Sequence, residues 1–191
     1  MQACHQQPLN GKTVLDLACG YGLWGHIIRA AADNGGTDCY LVGCDIWRPY
    51  LAISKKYKAY DDFVLCDVKH LPFNDHSVDF AVSFEVIEHL SKTDAYNYLR
   101  QLKSISKKVL ISTPAGYYPQ DEMRGNKYEK HISAWNETDF RKAGYHVCKT
   151  GFGIDIERFC RKLHLTGVLQ ILAALIAKGS WSGFMLIAEY G

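Results

Sequence analysis

None of the seven cysteines forms a CxxC pair, and their number is odd. A zinc ribbon and a closed disulfide framework are therefore both disfavoured. Cys19, Cys44 and Cys66 fall in apolar, strand-like runs, where a reduced thiol behaves as a small apolar side chain. Neither sign of charge is in excess: 22 Lys and Arg against 20 Asp and Glu leave a net charge of +2. That balance gives no reason to expect a nucleic-acid backbone as partner. The sequence also lacks internal repeats, low-complexity tracts and a secretory leader, so a reducing, cytoplasmic setting is expected. Its most apolar stretch is 163–177, LHLTGVLQILAALIA. At 1.5 Å per residue a helix of that length reaches about 22 Å, short of a hydrocarbon core of roughly 30 Å, and no transmembrane span is expected.

What is present is a chain of 191 residues, 48% hydrophobic, enough for one well-cored domain over 1–191. Strand patterns at 13–17, 39–44, 63–66, 78–83 and 108–112 are rich in Val, Ile, Leu, Phe and Cys without strict alternation. Such runs suit parallel strands covered on both faces. Helical patterns at 23–34, 50–57 and 93–105 lie between them, and another at 137–143 has Asn136 as N-cap and Gly144 as stop. The alternation predicts an α/β fold with right-handed crossovers and a mostly parallel sheet. Two further strands, 145–150 and 185–190, flank an insertion at 151–183.

Chemistry concentrates at the predicted strand ends, where open α/β sheets bind ligands. The segment VLDLACGYG closes its first strand on Asp16 and turns through Gly20 and Gly22. Asp45 ends the second strand, Asp67 the third, and Glu85 follows the fourth. A carboxylate beside the glycine turn suits an ammonium-bearing ligand without phosphates. Asp45 is placed to accept two ribose hydroxyls, and Ile46 to offer a base an apolar face. Asp67 is placed to accept from an exocyclic amine, with the Val68 N–H reading the neighbouring ring nitrogen.

VLDLACGYG, then Cys44-Asp45, then CDVKHLPFNDHSVDFAVSFEVIEHL, together resemble the class I S-adenosylmethionine-dependent methyltransferases. They are most similar to the branch holding the ubiquinone and menaquinone biosynthesis enzymes. The resemblance is strong from about 13 to 112. It implies a Rossmann-like sheet of seven strands, helices on both faces and a C-terminal antiparallel hairpin. It implies S-adenosyl-L-methionine as cofactor, its methionine moiety held by Asp16, Ala18, Gly20 and Gly22. Asp45 would then hold the ribose, Asp67 with Val68 the adenine, and Ser83, Phe84 and Glu85 the floor near the sulfonium. Ala18 stands where many members have glycine.

The residues admit two rival readings. Gly20-Tyr21-Gly22-Leu23-Trp24-Gly25 satisfies GxGxxG, the dinucleotide fingerprint, and Tyr145 with Lys149 forms a YxxxK string. Asp16 would face the pyrophosphate, however, and YxxxK falls in a strand pattern, where four residues span about 13 Å. The other rival binds the cofactor without catalysis. Methyl transfer needs alignment first and a base only for a protic acceptor. The candidate bases are His89 and His131. No histidine spacing suggests metal ligation, so no metal is expected.

Acceptor contacts are expected from 115–135, with Tyr117, Tyr118, Tyr128 and Trp135 among mixed charges, and from the insertion. Only 1–12 precede the first strand, little material for a lid. The expected acceptor is a small-molecule or lipid-linked nucleophile at oxygen, nitrogen or carbon. The segment 163–177 is expected to be a helix with an apolar face free for a homodimer contact or peripheral membrane docking. Arg158, Arg161, Lys162 and Lys178 flank it.

Overall fold

The computed structural model describes residues 9–34, 38–151 and 184–191. The helix expected over 163–177, with the rest of 152–183, lies outside the described residues. Seven strands form one sheet: β1 Lys12–Leu17, β2 Cys39–Asp45, β3 Asp62–Leu65, β4 Val78–Phe84, β5 Ser106–Pro114, β6 His146–Gly151 and β7 Phe184–Tyr190. Their order is β3-β2-β1-β4-β5-β7-β6. The first five pair in parallel, while β7 runs antiparallel to both β5 and β6. The helices are α1 Leu23–Asn34, α2 Arg48–Tyr57, α3 Lys92–Ile105 and α4 Glu137–Lys142, with 3-10 turns at Ile87–His89 and Lys127–Glu129.

Side chains alternate across each strand, and the alternation sorts the core into two layers. In β1, Leu15 and Leu17 join Tyr98, Leu99 and Leu102 of α3 on one face. Val14, one residue out of phase, joins Ile28 of α1, Leu51 of α2 and Tyr60 on the other. Asp16 shares the parity of Val14, a point on which its role turns.

Local signals explain the helix ends. The Ser91 hydroxyl accepts the Asp94 N–H at 3.1 Å and starts α3. Asn136 and Asp139 form a reciprocal capping box at α4. Helix α2 begins at Arg48 and not at residue 50 as expected, because Pro49 sits in the first turn, where its missing N–H costs no hydrogen bond. Strand β5 extends beyond the expected 108–112 at both ends, since α3 passes into it without turn residues.

Candidate active site

The turn after β1 is built from left-handed backbone: Ala18 at φ 56°, Gly20 at 53° and Gly22 at 92°. For Ala18 this geometry carries a steric penalty that glycine would avoid. The Cys19 N–H donates to the Cys44 carbonyl at 2.8 Å, tying the turn to the end of β2. The Gly20 N–H donates to Asp45 Oδ2 at 2.9 Å, and the Trp47 N–H to Oδ1 at 2.7 Å. Asp45 is thereby locked, and each oxygen keeps a lone pair for another donor. Burial pushes its pKa upward, opposed by the Trp47, Gly20 and Ile46 N–H groups.

The ends of β1 to β4 open into one cavity of about 290 Å³. Of the residues singled out in the sequence, Ala18, Gly20, Asp45, Ile46, Asp67, Val68, Glu85 and His89 line it. Asp67 Oδ1 accepts the Lys69 N–H at 2.9 Å, which orients the carboxylate. Glu85 accepts from the Ser112 hydroxyl at 2.7 Å, and burial raises its pKa to about 7. The far wall comes from Asn126, Tyr128, Glu129 and Ile132, with Tyr50 of α2. The expected acceptor segment thus contributes Tyr128, but Trp135 is core, 1% exposed and packed at a tilt against Phe140.

Asp16, Gly22, Ser83, Phe84 and His131 do not line the cavity. Asp16 is 1% exposed and faces the α1–α2 layer, where the Tyr60 hydroxyl donates to its Oδ2 at 2.6 Å. The same hydroxyl accepts the Gly25 N–H at 3.0 Å. Burial raises the Asp16 pKa to about 7 against the Tyr60 hydrogen bond. A side chain at Gly25 would overlap the Tyr60 ring, and one at Gly43 would crowd it. The third glycine of the GxGxxG string therefore makes room for a tyrosine that braces the turn. A side chain at Gly22 would press on the Ser54 hydroxyl. The Ser83 hydroxyl accepts from that of Tyr98 at 2.8 Å, deep in the core, and Phe84 packs on Trp24. Tyr145 of the YxxxK string donates to the Leu99 carbonyl at 2.8 Å and is buried, with Lys149 out on β6.

His131 lies behind the wall, 5% exposed, its Nδ1 2.6 Å from the Tyr118 carbonyl. Beside it stands Glu88, which no strand end or spacing marks in the sequence. Glu88 is buried, and burial together with the charge of Glu85 drives its pKa upward. Burial lowers the pKa of His89, opposed by the Lys130 carbonyl.

Residues 14–108 match the family model of a methyltransferase domain. Over 132 residues the chain is 27% identical to the phthiotriol/phenolphthiotriol dimycocerosates methyltransferase of Mycobacterium tuberculosis, covering 68% of this chain and 43% of that protein. Over 108 residues it is 27% identical to the tRNA (carboxymethyluridine(34)-5-O)-methyltransferase of Arabidopsis thaliana, covering 56% of this chain and 23% of that one. The chain thus spans less than half the length of these curated relatives. Its fold matches an S-adenosylmethionine-dependent methyltransferase from Mesorhizobium loti at TM-score 0.59 and 15% identity, covering 97% of this chain and 94% of that one.

Proposed function

We infer that this chain, which belongs to the class I S-adenosylmethionine-dependent methyltransferases, binds S-adenosyl-L-methionine at the strand ends and methylates an oxygen, nitrogen or carbon nucleophile. One observation carries the reading: Gly20, Asp45, Asp67 with Val68, and Glu85, from the ends of four successive strands, share one cavity. The residues fit the cofactor. Asp45 has one free lone pair per oxygen for the ribose hydroxyls, and Asp67 presents a carboxylate beside the Val68 N–H for adenine. Asp45, Asp67, Asp94 and Glu129 outnumber Lys69 in the lining, a negative field suited to an ammonium and a sulfonium. Bound S-adenosylmethionine supplies the electrophilic methyl group. The chain's own contribution is to align the acceptor with it and to exclude water.

The near-balanced charge of the chain, 22 Lys and Arg against 20 Asp and Glu, supports a small-molecule or lipid-linked acceptor over RNA. His89 is the candidate base at the cavity wall, whereas His131 does not reach it. Cys19, Cys39, Cys44 and Cys66 are free thiols, which supports a reducing, cytoplasmic compartment. Calorimetry with S-adenosylhomocysteine and NAD tests the cofactor: the first should bind and the second should not. Methyl label from the cofactor, followed into lipid, small-molecule, protein and RNA fractions of cell extract, tests the acceptor. Label confined to RNA would overturn the acceptor class. NAD binding without a response to S-adenosylhomocysteine would overturn the whole reading.

A further inference from the structure

Glu88, His89 and His131 converge beside the cavity, one ligand-capable atom from each lying within 4.8 Å of the others. The first two sit on the 3-10 turn after β4, and the third arrives from the segment beyond β5. That segment is fastened to the turn by its backbone, the Ile132 and Ser133 N–H groups donating to the Glu88 carbonyl at 2.9 and 3.1 Å.

The hydrogen bonds around the cluster decide what it can hold. His131 Nδ1 lies 2.6 Å from the Tyr118 carbonyl and His89 Nδ1 3.2 Å from the Lys130 carbonyl. A carbonyl only accepts, so each Nδ1 carries the hydrogen, and the tautomer compatible with this leaves Nε2 as the ring atom able to ligate. Glu88 Oε2 accepts from the Thr113 hydroxyl at 2.8 Å. Its Oε1 is buried without a hydrogen-bond partner among the described residues, in a side chain 3% exposed. His131 Nε2 lies 4.0 Å from that oxygen, too far for a proton shared between them. Two histidine ring nitrogens and a buried carboxyl oxygen without a hydrogen-bond partner among the described residues thus gather within 4.8 Å of one another. A buried oxygen left without a partner is costly, and a cation would satisfy it together with the two ring nitrogens. Donation of the second ring nitrogen to a backbone carbonyl is also how metal-bound histidines are oriented.

We propose that Glu88, His89 and His131 bind a divalent transition-metal ion whose open coordination positions face the cavity. Two imidazoles and one carboxylate suit Zn²⁺, Mn²⁺ or Fe²⁺ better than the all-oxygen preference of Ca²⁺. Ligand atoms at about 2.0–2.2 Å from an ion stand roughly 3–3.6 Å apart, so the cluster contracts by about 1 Å on loading. In this arrangement His89 is a ligand and not a base, and the open positions are where an acceptor oxygen would be held. That last role rests on the methyltransferase reading, but the metal site itself does not. The sequence conceals the set because Glu88 and His89 are adjacent, without a ligand spacing, and His131 is supplied by another segment.

The test uses the full chain, stripped with a chelator and titrated with Mn²⁺ and separately with Zn²⁺. Binding is followed by calorimetry and, for Mn²⁺, by loss of the free-ion paramagnetic resonance signal. One ion per chain is expected, with affinity reduced at least tenfold in Glu88→Gln and in His131→Ala. Thermal unfolding of each variant checks folding. If the buried substitutions unfold the chain, His89→Ala, at the cavity wall, carries the comparison. A parent chain that binds neither ion, or folded variants that bind both as tightly as the parent, overturns the site. Zinc held elsewhere, for example by the free thiols, would give that second result. S-adenosylhomocysteine is titrated in a separate experiment, so loss of its binding with metal binding intact would count against the cofactor reading alone.

Discussion

Asp16 and Asp45 end neighbouring strands, yet their carboxylates have different partners. Asp45 is held by two backbone N–H groups at the cavity wall, while Asp16 is turned inward onto a single phenol. Asp45→Ala removes the acceptor for both backbone donors and for the ribose. The expected loss of S-adenosylhomocysteine affinity is on the order of 2–4 kcal/mol, read by calorimetry. Affinity equal to the parent's would remove the ribose assignment. For Asp16 the informative variable is pH. Its pKa rises from 3.8 to about 7 on folding, so the native state binds the extra proton across that interval. The stability this group contributes is full below about 4 and lost as pH rises through 7. His89 acts with the opposite sign, its lowered pKa costing stability as pH falls through the folded value. The comparison with Asp16→Asn isolates the aspartate: urea unfolding at pH 5 and pH 8 should show a smaller loss at the higher pH in the variant. An unchanged pH dependence would mean that Asp16 ionises as it does in the unfolded chain.

At the scale of elements, the tyrosine brace between β1, α1 and β2 depends on empty space. Tyr60 passes Gly25 and Gly43 to reach Asp16, and Gly25→Ala places a methyl group on its ring. Overpacking of this kind costs about 1–3 kcal/mol, and loss of the hydroxyl in Tyr60→Phe costs about 1–3 kcal/mol by stranding a buried acceptor. Because both changes break the same hydrogen bonds, the double variant should lose less than the sum of the two, which denaturant unfolding of the four proteins would measure. Simple additivity would show that the brace is not one unit. This brace also marks the limit of what the sequence reveals. Helix α1 has its expected bounds, Leu23–Asn34, because its apolar spacing is local and begins just after the glycine turn. Asp45, Asp67 and Glu85 are legible as site residues because a strand's end is local and the cavity follows from parallel topology. Asp16 was expected to face the cofactor. Its direction is set by strand parity and by a tyrosine 44 residues on, neither carried by the motif. Trp135 reads as an acceptor contact from its charged neighbours. Its burial comes from Phe140, Tyr96 and the Lys92 ammonium 3.7 Å over its ring.

For the whole molecule, the cavity is a place where elements distant in sequence meet. Its lining is drawn from the ends of β1 to β4, from α2, and from the turn around Asn126 and Glu129. A ligand filling it contacts nearly every element of the parallel half, so binding should raise the stability of the fold as a unit. The size of the effect follows from mass action. S-adenosylhomocysteine at a hundredfold excess over its dissociation constant stabilises the native state by about 2.7 kcal/mol. In a domain of this length each kcal/mol moves the unfolding midpoint by about 2–4 °C, so a rise of roughly 5–10 °C is expected. NAD at the same concentration should leave the midpoint in place, because its pyrophosphate would meet Asp45 and Asp67 with Lys69 as the main opposing charge. S-adenosylmethionine adds a sulfonium to the ammonium and should raise the midpoint further at low salt, an advantage that shrinks as ionic strength screens the cavity's field. The measurement is a thermal melt with each of the three ligands at two salt concentrations. A midpoint that responds to NAD and ignores both nucleosides would show that these carboxylates do not select a cationic ligand.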